Sequence, residues 1–149
     1  VWSSKEEGKM NSKVFVDSSA LYALNSPRDQ HFIKADLILK RLHEQNSQLV
    51  STDYIVDEAL TTILTTKKGG YYSAVNLLNW VFSKTSLLTL EWIGKDRFYS
   101  AKEIFKRFNK DKVWSFTDCT SYVVMKELGI KTAFTFDENF REMGFKVLE

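Results

Sequence analysis

The chain has 149 residues, 44% hydrophobic and 27% charged, with 21 basic against 19 acidic residues. These values describe one soluble globular domain, able to bury roughly two-thirds of its unfolded surface without staples. The charge balance excludes a wholesale polycation. The single cysteine, Cys119, excludes an internal disulfide or a cysteine-rich metal site and fits a reducing cytosol. No apolar run approaches the ~18 residues of a membrane span, so the expected setting is cytoplasmic with no membrane partner.

Residues 1–9 show no apolar period, and Met10 would serve as a start, so 1–9 read as a leader or loose tail outside a domain covering 10–149. Val14-Phe15-Val16 reads as a buried strand that ends on Asp17 and turns at once, through Ser18 and Ser19, into a helix. Ser26-Pro27-Arg28-Asp29 has the form of a helix start, with Ser26 as N-cap and Pro27 first, and that helix is expected to reach about Glu44. Leu49-Val50-Ser51 is a second strand. Thr52 or Asp53 caps the next helix, whose apolar side is expected to carry Val56, Leu60, Ile63 and Leu64. Lys67-Lys68-Gly69-Gly70 ends it, with cations at the negative helix end and glycine beyond.

Further helices are expected over about Tyr71 to Ser83 and Asp96 to Phe108, with a strand from Leu87 to Ile93 between them. Ser115 or Thr117 opens a helix closed by Gly129; Ile130 to Phe136 and Phe145 to Leu148 are the last strands, separated by a short helical turn from Asp137. Strands alternating with helices call for parallel pairing, and no Asn-Gly or Asp-Gly hairpin turn is present. The fold class is therefore a three-layer α/β/α domain with a central, mainly parallel sheet of four to five strands.

Asp17, Asp118 and Asp137 share one kind of position, just after a strand or at the start of a helix, and Glu58 lies in the second turn after strand two. In a parallel sheet such positions converge on one edge, where open α/β folds place ligands. Asp17 and Asp118 taken singly also read as helix caps. Apolar residues cover almost the whole circumference of the helix around Asp118, so a carboxylate there must be paired, capped or metal-bound. Carboxylates gathered together repel and raise each other's pKa unless a cation joins them. With no histidine or cysteine ligand set, oxygen-only ligation suits Mg²⁺ or Mn²⁺.

The set Val16-Asp17-Ser18-Ser19-Ala20-Leu21, Asp57-Glu58-Ala59-Leu60, Thr117-Asp118-Cys119 and Thr135-Phe136-Asp137-Glu138-Asn139-Phe140 resembles the PIN-domain ribonucleases, many of them toxins of toxin–antitoxin pairs. Each motif is short; their order and spacing are what is specific. The resemblance covers about residues 12 to 149. It implies a metal-dependent endoribonuclease acting on RNA phosphodiesters, with Asp17, Glu58, Asp118 and Asp137 on the acidic positions that hold Mg²⁺ or Mn²⁺. It puts Ser19 and Thr117 on supporting hydroxyl positions. Glu58 is preferred to its neighbour Asp57 because the family places glutamate before a small and then an apolar residue, and Asn139 is a further residue within reach.

The resemblance also implies a homodimer and an antitoxin that covers the acidic pocket. A stand-alone RNA-processing nuclease and a non-catalytic PIN-like binding module are the alternatives; the second predicts a missing acid, and all four are present. An aspartyl-nucleophile phosphatase would carry a second Asp where Ser19 stands. Cations expected to meet RNA are Lys67-Lys68 and Lys106-Arg107, Lys110 and Lys112, and candidate stacking residues are Trp114 and Tyr72. His31 and His43 read as surface helix residues, and Cys119 as a small buried one.

Overall fold

A computed structural model describes residues 12–66 and 68–149, so the segment 1–9 and Lys67 lie outside the described residues. Its elements run β1 (Lys13–Val16), α1 (Ser18–Leu24), α2 (Phe32–Glu44), β2 (Gln48–Thr52), α3 (Asp53–Thr66), α4 (Gly70–Val81), β3 (Leu88–Glu91), α5 (Gly94–Phe108), α6 (Phe116–Leu128), β4 (Thr132–Phe134), α7 (Asn139–Glu142) and β5 (Lys146–Val147). The strands form one sheet in the order β3-β2-β1-β4-β5, every pairing parallel. This is the expected three-layer α/β/α arrangement with five strands. Val14, Phe15 and Val16 of the central strand are all buried, which is why β1 reads as a continuous apolar run rather than an alternating one.

The helices pack in two groups. Helix α1 lies against α2 and α3, with α4 on α3, while α5 lies against α6. Helix α3 buries Ile55, Val56, Ala59 and Ile63, whereas Leu60 is half-buried and Leu64 is 54% exposed. The expected Val56–Leu60–Ile63–Leu64 side is therefore rotated toward smaller residues. Small side chains at Ala59 on α3 and at Ala20 and Ala23 on α1, all buried, let the two helices approach closely.

Helix α2 begins at Phe32, later than the Ser26-Pro27 pattern indicates. The Ser26 hydroxyl donates back to the Tyr22 carbonyl at 2.6 Å and so closes α1 rather than opening α2. The Asp29 amide donates to the Ser26 carbonyl at 2.8 Å, making a turn with Pro27 at its second position. The Asp29 carboxylate then accepts from the His31 amide at 2.9 Å. The same residue types that start helices also make turns, and here the Ser26 side chain serves the end of α1.

Thr52 caps α3, its hydroxyl accepting from the Ile55 amide at 3.1 Å, while Asp53 accepts from the Ile93 amide at 2.8 Å and fastens the end of β3. Ser115 opens α6 and Gly129, at φ 67°, closes it.

Candidate active site

The strand order reverses at β1: β2 and β3 lie to one side, β4 and β5 to the other. Ligands of open α/β sheets bind in the crevice outside the strand ends at such a switch point. The register Val16↔Phe134 carries on past the strand ends, with the Asp17 amide donating to the Phe134 carbonyl at 3.0 Å. Asp17 and Thr135 therefore emerge side by side, and Asp137 follows two residues later.

Asp17 is 3% exposed. It stands at the N-cap position of α1 but makes no side-chain capping bond. Its Oδ2 instead accepts from the Thr135 hydroxyl at 2.7 Å and the Ser19 hydroxyl at 3.1 Å. Thr135 Oγ1 also accepts from the Asp137 amide at 3.0 Å, and Ser19 Oγ from the Phe136 amide at 2.9 Å. Two hydroxyls thus lock the ends of β1 and β4 together around one carboxylate. Burial, with the charge of Asp118 adding to it, pushes the Asp17 carboxyl from its ordinary 3.8 up to about 7.

Asp118 is 6% exposed on α6 and does two jobs. It completes a capping box, accepting from the Ser115 amide at 3.1 Å while its own amide donates to the Ser115 hydroxyl at 3.0 Å. The same Oδ2 accepts from the Asn139 side chain at 3.0 Å, and the Asn139 amide donates to Asp137 Oδ1 at 2.9 Å. Asn139 therefore joins the two acids. Burial foremost, then the charges of Asp137 and Glu58, raise the Asp118 carboxyl. Glu58, half-buried on α3, accepts from the Ser18 hydroxyl at 2.5 Å, and its neighbour Asp57 is exposed.

The four acids thus come from the end of β1, α3, α6 and the β4–α7 turn, with Asp118 in electrostatic range of the other three, and none of the ion pairs between described residues neutralises one of them. Glu58, Asp118 and Asp137 each engage one carboxylate oxygen in these bonds, and the other has no hydrogen-bond partner among the described residues. No fully buried side-chain oxygen among the described residues lacks a partner, so those second oxygens open to solvent. Among the described residues no group of three or more His, Cys, Asp or Glu side chains is placed so that it could hold a metal ion. Mg²⁺ needs no such group, since it binds through one or two carboxylates while keeping several waters. The donor set, all oxygen and with free lone pairs facing solvent, fits a hard divalent cation.

A family model describing the PIN domain matches residues 14–146. The chain belongs to the PIN-domain family. It is 29% identical over 133 residues to the 23S rRNA-specific endonuclease VapC20 of Mycobacterium tuberculosis, in strain CDC 1551 / Oshkosh and in strain H37Rv, covering 89% of this chain and 95% of the relative. The crystal structure of M. tuberculosis VapC20, described as a sarcin–ricin loop cleaving toxin, superposes with a TM-score of 0.75 at 26% identity, again over 89% of this chain and 95% of that one.

Several supports of this PIN-domain site differ from expectation. The Thr117 hydroxyl takes no part in the bonds that tie the acids together; its carbonyl accepts from Thr120 and Ser121 within the helix. Thr135 and Ser18 do that work instead. Thr135 lay within the quoted Thr135-Phe136-Asp137 stretch, and the parallel register is what aims it at Asp17. Trp114, read as a stacking candidate, is 3% exposed and donates its indole N–H to Glu142 at 3.1 Å. Tyr72 is 75% exposed. His31 stands just ahead of α2 and is half-buried, its ring stacked on Phe136 with centroids 4.3 Å apart. Cys119 is buried, and burial with Asp118 beside it pushes the thiol up to about 11.

Proposed function

We propose that this protein is a divalent-metal-dependent endoribonuclease that hydrolyses RNA phosphodiesters, and that it is the toxin of a toxin–antitoxin pair. The observation that carries the chemistry is the convergence of four carboxylates, without a neutralising cation, on the switch point of a parallel sheet. Asp17 and Asp118 would be the principal ligands of Mg²⁺ or Mn²⁺, with Glu58 and Asp137 completing the shell directly or through water. When bound, such an ion supplies Lewis-acid activation of a water and neutralises charge on the phosphodiester. The protein's own part is to fix the ligands. Thr135 and Ser19 hold Asp17, Ser18 holds Glu58, and Asn139 spans Asp118 and Asp137.

The similarity to VapC20 supports an RNA substrate and an antitoxin partner, and makes 23S rRNA the first RNA to test. No helix among the described residues is long and apolar enough to cross a membrane, in keeping with a cytoplasmic setting. Exposed Leu64, Tyr71, Tyr72 and Phe82 on and beside the α3–α4 hairpin support an apolar protein interface, either homodimer or antitoxin. Sedimentation at high micromolar concentration tests the dimer, and a lone monomer there would exclude it.

The deciding experiment compares wild type with Asp17→Asn and Asp118→Asn on ribosomal and single-stranded RNAs in Mg²⁺ and in Mn²⁺. Circular dichroism serves as the folding control. Each substitution keeps shape and removes one negative charge, so cleavage should fall by roughly a hundredfold or more with the fold intact. Equal cleavage by all three proteins would show that these acids are not the catalytic centre.

A further inference from the structure

Beside the acidic centre lies a cleft of about 270 Å³ lined by Ser18, Ser19, Tyr22, Asp29, His31 and Thr62. It adjoins a larger one of about 600 Å³ that shares Tyr22 and Asp29 and adds Arg28 and Lys68. The two make one trough. Its inner end is formed by the hydroxyl residues that hold Asp17 and Glu58. Its outer end carries two cations, neither of which forms an ion pair with any described residue. The inner cleft is also lined by His31, whose ring is nearly coplanar with Phe136 at an angle of 12°, and Tyr22 and Asp29 line both clefts. Phe136 itself sits between Thr135, which holds Asp17, and Asp137. An aromatic platform bonded into the acidic centre, followed outward by unpaired cations, matches the alternation of base and phosphate in a single strand.

We infer that this trough binds the RNA nucleotide next to the scissile phosphate, with its base on the His31 ring and the following phosphate between Arg28 and Lys68. The inference rests on the ribonuclease reading and adds a binding subsite to it. The acidic centre alone repels RNA, so affinity must come from cations and stacking outside it. Arg28 and Lys68 supply the charge, and His31 orients the strand so that the adjoining phosphate falls on the carboxylates. His31 is thus a positioning residue.

The test uses a 5′-labelled single-stranded RNA. Its binding is followed by anisotropy in the cleavage-deficient Asp118→Asn protein with Mg²⁺, and its cleavage by the otherwise wild-type protein is resolved into kcat and KM. Arg28→Glu and Lys68→Glu should each weaken binding and raise KM severalfold, flatten the salt dependence, and leave kcat within about twofold. His31→Ala should weaken binding by roughly fivefold or more, and His31→Phe, which keeps a ring to stack on Phe136, should restore most of it. Lys131→Glu, at the opposite end of β4, is the control for net charge.

If wild type cleaves RNA but the trough variants bind and turn over like it, the subsite is wrong while the ribonuclease reading stands. If those variants keep RNA affinity and lose only inhibition by an antitoxin, the trough belongs to a protein partner and the inference is overturned. If wild type cleaves no RNA, the ribonuclease reading itself falls.

Discussion

Thr135 is where the residue scale is most sharply tested, because its one buried hydroxyl donates to Asp17 and accepts from the Asp137 amide. Thr135→Val keeps the shape and removes both bonds, leaving a buried carboxylate and an amide short of partners. The expected loss is about 1–3 kcal/mol in urea unfolding, with a matching drop in cleavage, and Thr135→Ser should recover most of both. Asp17 gives a pH prediction for the metal-free protein. Its carboxyl rises from 3.8 in the unfolded chain to about 7 when folded, so the folded state binds that proton more tightly. Folding is therefore favoured while Asp17 is protonated, and stability declines as pH climbs from about 4 through about 7. Asp118 shifts in the same direction. In chelator, melting temperature should fall between pH 5.5 and 8 by an amount worth a few kcal/mol, and Asp17→Asn should flatten the slope. A melting temperature independent of pH across that window would contradict the buried proton.

At the scale of elements, the α3–α4 junction and the start of α6 make separate predictions. A Cβ at Gly70 would collide with the Ile63 carbonyl, a backbone atom that cannot step aside. Gly69, at φ 76°, has open space around it. Gly70→Ala should therefore cost more than Gly69→Ala, roughly 1–3 kcal/mol against about 1, with Gly69→Asn better tolerated than Gly69→Ala. Thermal unfolding of the three variants checks the order. Ser115→Ala removes the hydroxyl half of the capping box, at about 0.5–2 kcal/mol. Because the other half of that box is Asp118 itself, this substitution should also reduce cleavage.

For the whole molecule, the proposed cation, shared by acids from four separate elements, would tie the two helix groups across the sheet edge. Millimolar Mn²⁺ should raise the melting temperature by a few degrees, since a ligand bound only to the folded state stabilises it by mass action. Asp118→Asn should abolish most of that rise. An identical melting curve with and without Mn²⁺ would argue that the cluster holds no metal.

The sequence alone determined the alternation of strands and helices, a mainly parallel sheet of four to five strands, and the placement of four acids just after strands or in the first turns of helices. It did so because a buried β-branched run reads as a central strand and because parallel strands bring such ends to one edge. It misplaced the start of α2, since Ser, Pro and Asp serve turns as well as helix starts, and here the Ser26 hydroxyl turns back to the Tyr22 carbonyl. It misplaced the buried side of α3 as well, because apolar period counts large residues while the close approach of α1 selects small ones. Ser19 and Asn139 were expected beside the acids and bond to them, whereas the partners Thr135 and Ser18 were decided by tertiary structure. Thr135 faces Asp17 across 118 positions, and Ser18 meets Glu58 across 40. A hydrogen bond of that kind depends on strand register and helix crossing. No local pattern encodes either, so the chain could announce the acids and the Ser19 hydroxyl next to Asp17, but not the hydroxyls that reach them from other elements.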